Sequence, residues 1–218
     1  MRHLLSCLLF LGAGCWAQTP SALESDPKGW MDIMPDASFK GWTRLPFMTT
    51  APMDAVSQWK VDTANKVLIC EGDRGHEWLR YDKELTDLIF HAEYRFTKIE
   101  GGKGYNSGVM VRNSADGVIW HQGQAGDASG GFLIGGTLVK GAPQRFNMRS
   151  KMPAVNPVKP AGEWNVYELR AEGPKIALWV NGVATPELTD LEVLKGYLGL
   201  EAEGYRVEFR NLKLKVLK

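Results

Sequence analysis

HAEYRFTKIEGGKGYNSGVMVR, residues 91–112, decides the fold. It reads as two β-strands joined by a glycine-rich loop. In the first, Phe90, Ala92, Tyr94 and Phe96 fall on one face and His91, Glu93 and Arg95 on the other. Alternate residues of a strand stand about 6–7 Å apart on the same side, twice the rise per residue. In the second, Val109 and Val111 alternate with Gly108, Met110 and Arg112. If the two strands pair, Arg112 joins the polar row of His91, Glu93 and Arg95. That row has two readings: a face of a half-buried sheet turned to water, or the lining of a ligand groove.

Outward from this stretch, short apolar-alternating runs recur between turn residues. They are Gln58–Val61, Lys66–Cys70, Trp78–Tyr81, Leu88–Phe96, Ser107–Arg112, Gly131–Ile134, Trp164–Ala171, Lys175–Val180, Gly196–Glu201 and Val207–Val216. Asn181-Gly182 inside LWVNGVAT is a two-residue hairpin turn. Helical periodicity is confined to short turns expected at Lys83–Asp87 and Asp190–Leu194. Asp32–Trp42 and Phe47–Met53 read as loop. The pattern predicts an all-β, two-sheet antiparallel sandwich, formed by one domain over residues 31–218.

The N-terminus reads as an address. Arg2 and His3 precede an apolar run ending near Gly14, and Cys15-Trp16-Ala17 puts small residues at the −3 and −1 positions of a cleavage site. Residues 1–17 are expected to be a secretory signal peptide, followed by a polar leader over 18–30. The protein is then exported, periplasmic or secreted. A lipid anchor on Cys15 is the alternative. The apolar run is too short for a permanent membrane span. Cys7 and Cys15 fall in the signal, which leaves Cys70 in the apolar strand VLIC and no internal disulfide. The chain of 218 residues has a net charge of +1, and loss of Arg2 with the signal brings 25 basic residues against 25 acidic. Such a neutral domain gives no reason to expect nucleic acid or an anionic membrane surface.

Trp120–Gly136 crowds His121, Gln122, Gln124 and Asp127 among glycines. His121 and Asp127 could hold a metal or act as a base with an orienting acid, or belong to a hydrogen-bonded surface loop. Their spacing matches no metal signature. Glu93 is either a general base or a carboxylate held by Arg95 or Arg112. The chain is rich in tryptophan, whose faces stack on sugar rings or fill cores. The glucanase string E-x-D-x-x-E is absent, which argues against ordinary retaining hydrolysis by that arrangement.

Gly41-Trp42, Trp59, VLICEG at 67–72, EYRF at 93–96, NSGVMVR at 106–112, PAGEWNVYELR, LWVNG and the closing VEFRNLKLK occur in order. Together they make the chain similar to the 3-keto-disaccharide hydrolase domain family, from Asp32 to Leu217. The resemblance implies a concanavalin A-like lectin/glucanase jelly roll with a groove on the concave sheet. It implies a carbohydrate substrate, a glycoside oxidised at carbon 3, whose ketone acidifies the hydrogen on carbon 2 so that the glycosidic oxygen leaves by elimination or hydrolysis. Such chemistry needs a base, an acid and an electrophile for the enolate; a divalent cation or Arg95 and Arg112 would serve as the last. The family's tyrosine–glutamate pair, glutamine and aspartate align with His121, Gln122, Gln124 and Asp127, so an amide stands where the family has a glutamate. The expectation is that Glu93, His121 and Asp127 are catalytic, while Trp78, Arg95, Asn106, Arg112, Trp120, Gln122 and Gln124 bind substrate. A non-catalytic carbohydrate-binding module, gripping a glycan with Trp78, Trp120 and the 140–149 loop, is the alternative; a purely structural domain is a third. The proline-rich, basic loop from Met148 to Pro160 is a candidate cover for the groove.

Overall fold

A computed structural model describes residues 18–47, 52–127, 129–152 and 154–217. The expected signal, with Cys7 and Cys15, lies outside them. In chain order the elements are α1 (Ala22–Ser25), β1 (Met31–Asp32), β2 (Trp42–Pro46), β3 (Trp59–Asp62), β4 (Val67–Cys70), β5 (Glu77–Tyr81), β6 (Leu88–Phe96) and β7 (Ser107–Asn113). Then follow β8 (Trp120–Ala125), β9 (Leu133–Val139), β10 (Ala142–Asn147), β11 (Asn165–Glu172), β12 (Lys175–Val180), β13 (Val183–Ala184), β14 (Tyr197–Ala202) and β15 (Val207–Val216). All described pairings are antiparallel and form two sheets. The first runs β13-β12-β11-β6-β15-β4-β3, with β1 added on β15. The second runs β10-β9-β8-β7-β14-β5-β2. Among the described residues no helix is long and apolar enough to cross a membrane.

The alternation expected in β6 and β7 is present, but the two strands do not pair. β6 lies between β11 and β15, and β7 between β8 and β14. The glycine-rich loop after Phe96 carries the chain from one sheet to the other. Phe90, Ala92, Tyr94 and Phe96 face Val109, Val111, Leu198 and Leu200 across a shared core, all at most 1 % exposed. Each such large apolar side chain contributes about 1.5–3 kcal/mol by leaving water. Cys70 is a free, buried thiol in this core, and burial pushes its pKa well up. Asn181 and Gly182 take positive φ, 47° and 98°, in the expected hairpin turn between β12 and β13. β8 and β10 fall where loops were expected, β2 lies between two expected loops, and 83–87 and 190–194 form no helix. These strands carry glycine, proline and polar residues because their outer sides are not core.

Two tyrosines tie the sheets together. Tyr167 Oη donates to the backbone oxygen of Gln124 (2.8 Å), and Tyr94 Oη to that of Gly126 (3.1 Å). Both rings rise from the first sheet and hold the end of β8 in the second.

The polar row His91-Glu93-Arg95 occupies the outer face of the first sheet, where it is absorbed by ion pairs. His91 Nδ1 is 2.8 Å from Glu168. Glu93 accepts from Arg210 (2.8 Å) and Asn211 (2.6 Å). Arg95 donates to Glu208 (2.6 Å) and stacks over Trp164. The expected leader covers part of this face and is integral to the domain. Ser21 and Glu24 form a capping box on α1, and the amide of Leu23 donates to Glu168 (3.0 Å). Trp179 Nε1 donates to Thr19 (2.9 Å). Arg112, at φ 52°, bulges out of β7 and turns to the sheet end. Its guanidinium is fully buried against Asp87 (2.8 Å) and the carbonyls of Thr86 and Gly173.

His91 is a measurable part of this stability. Burial alone would lower its pKa, but the bonds and charges of Glu168 and Glu93 outweigh it and raise it above 6.5. The imidazolium therefore contributes fully below pH 6.5, and the contribution is lost as pH rises through the raised value. Glu93 is the acid counterpart: burial opposes, but His91, Asn211 and Arg210 bring it down to about 2. Its contribution is lost as pH falls from 4.5 towards 2. His91→Gln is expected to lower Tm by about 2–4 °C near pH 5.5, with the gap closing at alkaline pH. A gap independent of pH in thermal melts would contradict this.

Candidate functional site

Strand parity sorts the second sheet into two faces. Leu79, Val109, Val111, Ala125, Leu133, Leu198 and Leu200 belong to the main core. The alternating residues form a separate buried cluster of Phe47, Trp78, Met110 and Trp120, flanked by Leu45, Ile134 and Tyr197. The ring of Phe47, at the end of β2, lies 5.3 Å from that of Trp120 on β8. β2 and β8 are four strand spacings apart, roughly 19 Å in a flat sheet. The contact therefore requires the sheet to curl towards this face, which is the concave one.

Polar residues at the same parity form a closed circuit. His76 Nε2 meets Glu201 at 2.8 Å. Gln122 Nε2 donates to the other oxygen of Glu201 (2.8 Å) and to Gln124 Oε1 (3.2 Å). Gln124 donates to Asn106 Oδ1, Asn106 donates to Glu203, and Glu203 returns to within 3.8 Å of His76. Register explains the assembly: Glu201 is opposite Trp78 on β5, and Gln124 opposite Gly108 on β7. Two glycines make room. A Cβ at Gly108 would collide with the Gln122 side chain, and one at Gly199 would stand 2.6 Å from the Trp78 indole.

The charged members of the circuit differ in exposure and in protonation. His76 and Glu203 are partly exposed, whereas Glu201 and Gln122 are buried. Burial opposes protonation of His76, but the bond to Glu201 and the charges of Glu201 and Glu203 raise its pKa. Burial, then the charge of Glu201, raises that of Glu203. Phe47 stacks flat on His76 at 4.3 Å. Among the described residues, Trp78 Nε1, Trp120 Nε1 and Gln122 Oε1 are buried without a hydrogen-bond partner. Two donors and one acceptor, all on this face, are the complement of a hydroxyl-bearing ligand. One imidazole nitrogen and two carboxylates within 4.8 Å of one another also suit a divalent cation.

The expected site residues divide accordingly. Trp78, Asn106, Trp120, Gln122 and Gln124 are brought together here. Glu93 and Arg95 lie on the outer face of the other sheet, because β6 is not a neighbour of β7. Arg112 is taken up by Asp87 and carbonyls. His121 is at core parity in β8, fully buried between the Arg112 carbonyl (3.2 Å) and Thr137 Oγ1 (3.1 Å). Burial, reinforced by the Arg112 charge, lowers its pKa to about 4. Asp127 follows β8 in the loop beside Tyr105 and Pro160, lining a separate hollow. Glu93, His121 and Asp127 thus form no common constellation. The sequence reading missed His76, Glu201 and Glu203. Their signal was parity: HEW alternates His76 with Trp78, and EAE puts Glu201 and Glu203 on one side of a strand. The Met148–Pro160 segment runs along the sandwich end, where Asn156 donates to Gly130 O (2.9 Å).

The sequence profile of the 3-keto-alpha-glucoside-1,2-lyase-like domain matches residues 29–215. Among curated proteins none matches the chain. Of solved structures, a Parabacteroides distasonis protein described as a glycosyl hydrolase superposes with TM-score 0.59 and 17 % identity, covering 92 % of this chain and all of its own. The carbohydrate-binding module CBM66 from Bacillus subtilis gives TM-score 0.57 at 14 % identity, over 84 % of this chain and 98 % of its own. A β-1,3-1,4-glucanase from a mouse hindgut metagenome gives 0.51 at 9 %, over 86 % and 95 %. The expected glucanase-type sandwich is therefore the fold.

His121→Ala is expected to act through stability. It removes a buried ring and orphans Thr137 and a carbonyl, costing about 2–4 kcal/mol. Melting should fall by several degrees while sugar affinity, measured well below Tm, stays as in the parent. Lost affinity with unchanged melting would return His121 to the site.

Proposed function

Because the chain belongs to the 3-keto-alpha-glucoside-1,2-lyase-like domain family, we propose that the concave face of its second sheet cleaves glycosides oxidised at carbon 3. The observation that carries this is the His76–Glu201–Glu203 cluster, built into a polar circuit beside two tryptophans. Glu203 acts as base: a carboxylate with raised pKa is better matched to accepting a proton near neutral pH. It takes the hydrogen from carbon 2, which the neighbouring ketone has acidified. The electron pair of that C–H bond forms the carbon 1–carbon 2 double bond, and the bond from carbon 1 to the glycosidic oxygen breaks. His76, protonated and oriented by Glu201, gives its proton to the departing oxygen. The products are a 2-hydroxy-enone sugar and the free aglycone; water adding at carbon 1 would complete a net hydrolysis. Gln122, Trp78 and Trp120 supply hydrogen-bonding groups that orient the sugar ring.

A divalent cation fits the same donors, with His76, Glu201 and Glu203 as the residues that would hold it. When bound it would supply positive charge for the enolate oxygen, in place of the proton transfers written for His76 and Glu203.

A second reading has one observation in its favour. The resemblance sets Gln122 where the family commonly has a glutamate, and a site with that amide would bind a glycan as a non-catalytic module, in the manner of CBM66. For either reading we also propose export, supported by the apolar run after Arg2 and His3.

The test is release of aglycone from a synthetic 3-keto-glucoside, with and without chelator. His76→Ala and Glu203→Gln are each expected to lower kcat by about 10²–10⁴. Parental kcat in both variants would remove them from the chemistry, and sugar binding without turnover in the parent would select the module. Chelator sensitivity reversed by a divalent cation would assign the cluster to metal binding. Gln122→Glu gives an independent readout: it sets a second carboxylate against Glu201 and should lower Tm. An added divalent cation should restore Tm by preferential binding to the folded state. A Tm indifferent to cation would count against a metal site.

A further inference from the structure

The concave face is electrically lopsided. Its acidic groups, Glu201 and Glu203, belong to β14 and its extension. The opposite side, β9 and β10 with the 3-10 turn Arg149–Lys151, is basic. Residues 140–151, KGAPQRFNMRSK, hold four cations and no acid. Two of the guanidiniums are set against aromatic residues of the site. Arg145 is opposite Gly136, which is opposite Trp120, and with no side chain between them the guanidinium lies 5.0 Å from the Trp120 ring. Arg149 lies 5.9 Å from the ring of Phe132, whose backbone oxygen accepts from the amide of Gln124. Both arginines thus flank the Gln122–Gln124 side of the polar circuit. Arg149, Lys140 and Lys151 are exposed, and among the described residues none of the three is in an ion pair. Glu192 is spent at the far end of the β9–β10 hairpin on the backbone amides of Lys140 and Gly141.

From this placement we infer that the β10 side is a subsite for an anionic group on the glycoside, a carboxylate or a phosphate, bound by Arg149 and Arg145. The inference rests on the sugar-site reading above and names its substrate class. The sugar to be cleaved lies over His76 and Glu203, and its anionic partner lies towards β10. A planar guanidinium held over a ring is pre-organised to receive a carboxylate or phosphate in bidentate fashion. The acidic cluster at the other side repels the same group, so the face selects orientation as well as charge.

The experiment uses aryl glucosides that differ in one para substituent: methyl ester, carboxylate or phosphate. Binding is measured by calorimetry on the unoxidised glucosides, which cannot eliminate, and turnover on their 3-keto forms. Both anionic aglycones are expected to bind on the order of tenfold tighter than the ester at low salt, with the gap shrinking at high salt. The tighter of the two identifies the natural group. Arg149→Ala, and more fully Arg145→Ala with Arg149→Ala, should bring the three probes to similar affinity, and Arg149→Lys should restore part of the preference. Equal affinities in the parent, a preference that survives the double variant, or no binding of any probe would each overturn the subsite. Anion preference without turnover of the 3-keto forms leaves the subsite standing and removes the lyase chemistry. Turnover without anion preference does the reverse.

Discussion

A β-strand has two faces, and in the second sheet both are committed. One set of alternate residues, among them Val109, Val111, Leu198 and Leu200, builds the core shared with the first sheet. The other set curls around Trp78, Met110 and Trp120 and carries His76, Glu201, Glu203, Asn106, Gln122 and Gln124. Because the side-chain period is two, a register slip of one residue would send the whole polar circuit into the core. The core therefore fixes the site: burying the valines and leucines forces the amides and acids to the concave face. The first sheet adds to this by bonding the backbone of β8 through Tyr94 and Tyr167.

The first sheet treats its outer face differently. There the charged residues are held in ion pairs and hydrogen bonds, His91 through Nδ1 with Glu168, Glu93 with Arg210 and Asn211, Arg95 with Glu208. The segment from Thr19 to Trp30 covers part of the row. A charge that has its partner, and is shielded by a strap of chain, stabilises the fold and offers nothing to a ligand. On the concave face the accounting is incomplete. Gln122 Oε1 and two indole nitrogens have no partner among the described residues, and buried polar atoms are seldom left so. His91 Nε2 and Trp59 Nε1 of the first sheet are likewise without a hydrogen-bond partner, so what sets the concave face apart is that its three orphaned atoms lie together beside the His76–Glu201–Glu203 cluster.

An amide at position 122 fits this circuit. It donates to both Glu201 and Gln124, which a carboxylate at that position could not do while ionised. The circuit is closed with the amide in place, so the site is coherent with two carboxylates and one imidazole. In the proposed chemistry this makes the partly exposed pair, Glu203 and His76, a better source of proton transfer than any residue of β8.

Much of the fold was legible in the sequence because alternation, the Asn181-Gly182 turn and the NSGVMVR and LWVNG runs are local. They determined the strands, the sandwich class and the family resemblance. Asn106, Gln122, Gln124, Trp78 and Trp120, expected to bind substrate, do lie together on the concave face, since their parity is set within their own strands. What only the tertiary structure decided is which strands are neighbours. β6 and β7 are consecutive in sequence but belong to opposite sheets, so Glu93 and Arg95 are carried to the far side of the molecule. The bulge at Arg112 turns its guanidinium to the sheet end, and β8 register sends His121 inward. His76, Glu201 and Glu203 meet from segments more than a hundred residues apart. No local pattern encodes that distance; the pairing of β14 with β5 and β7 supplies it.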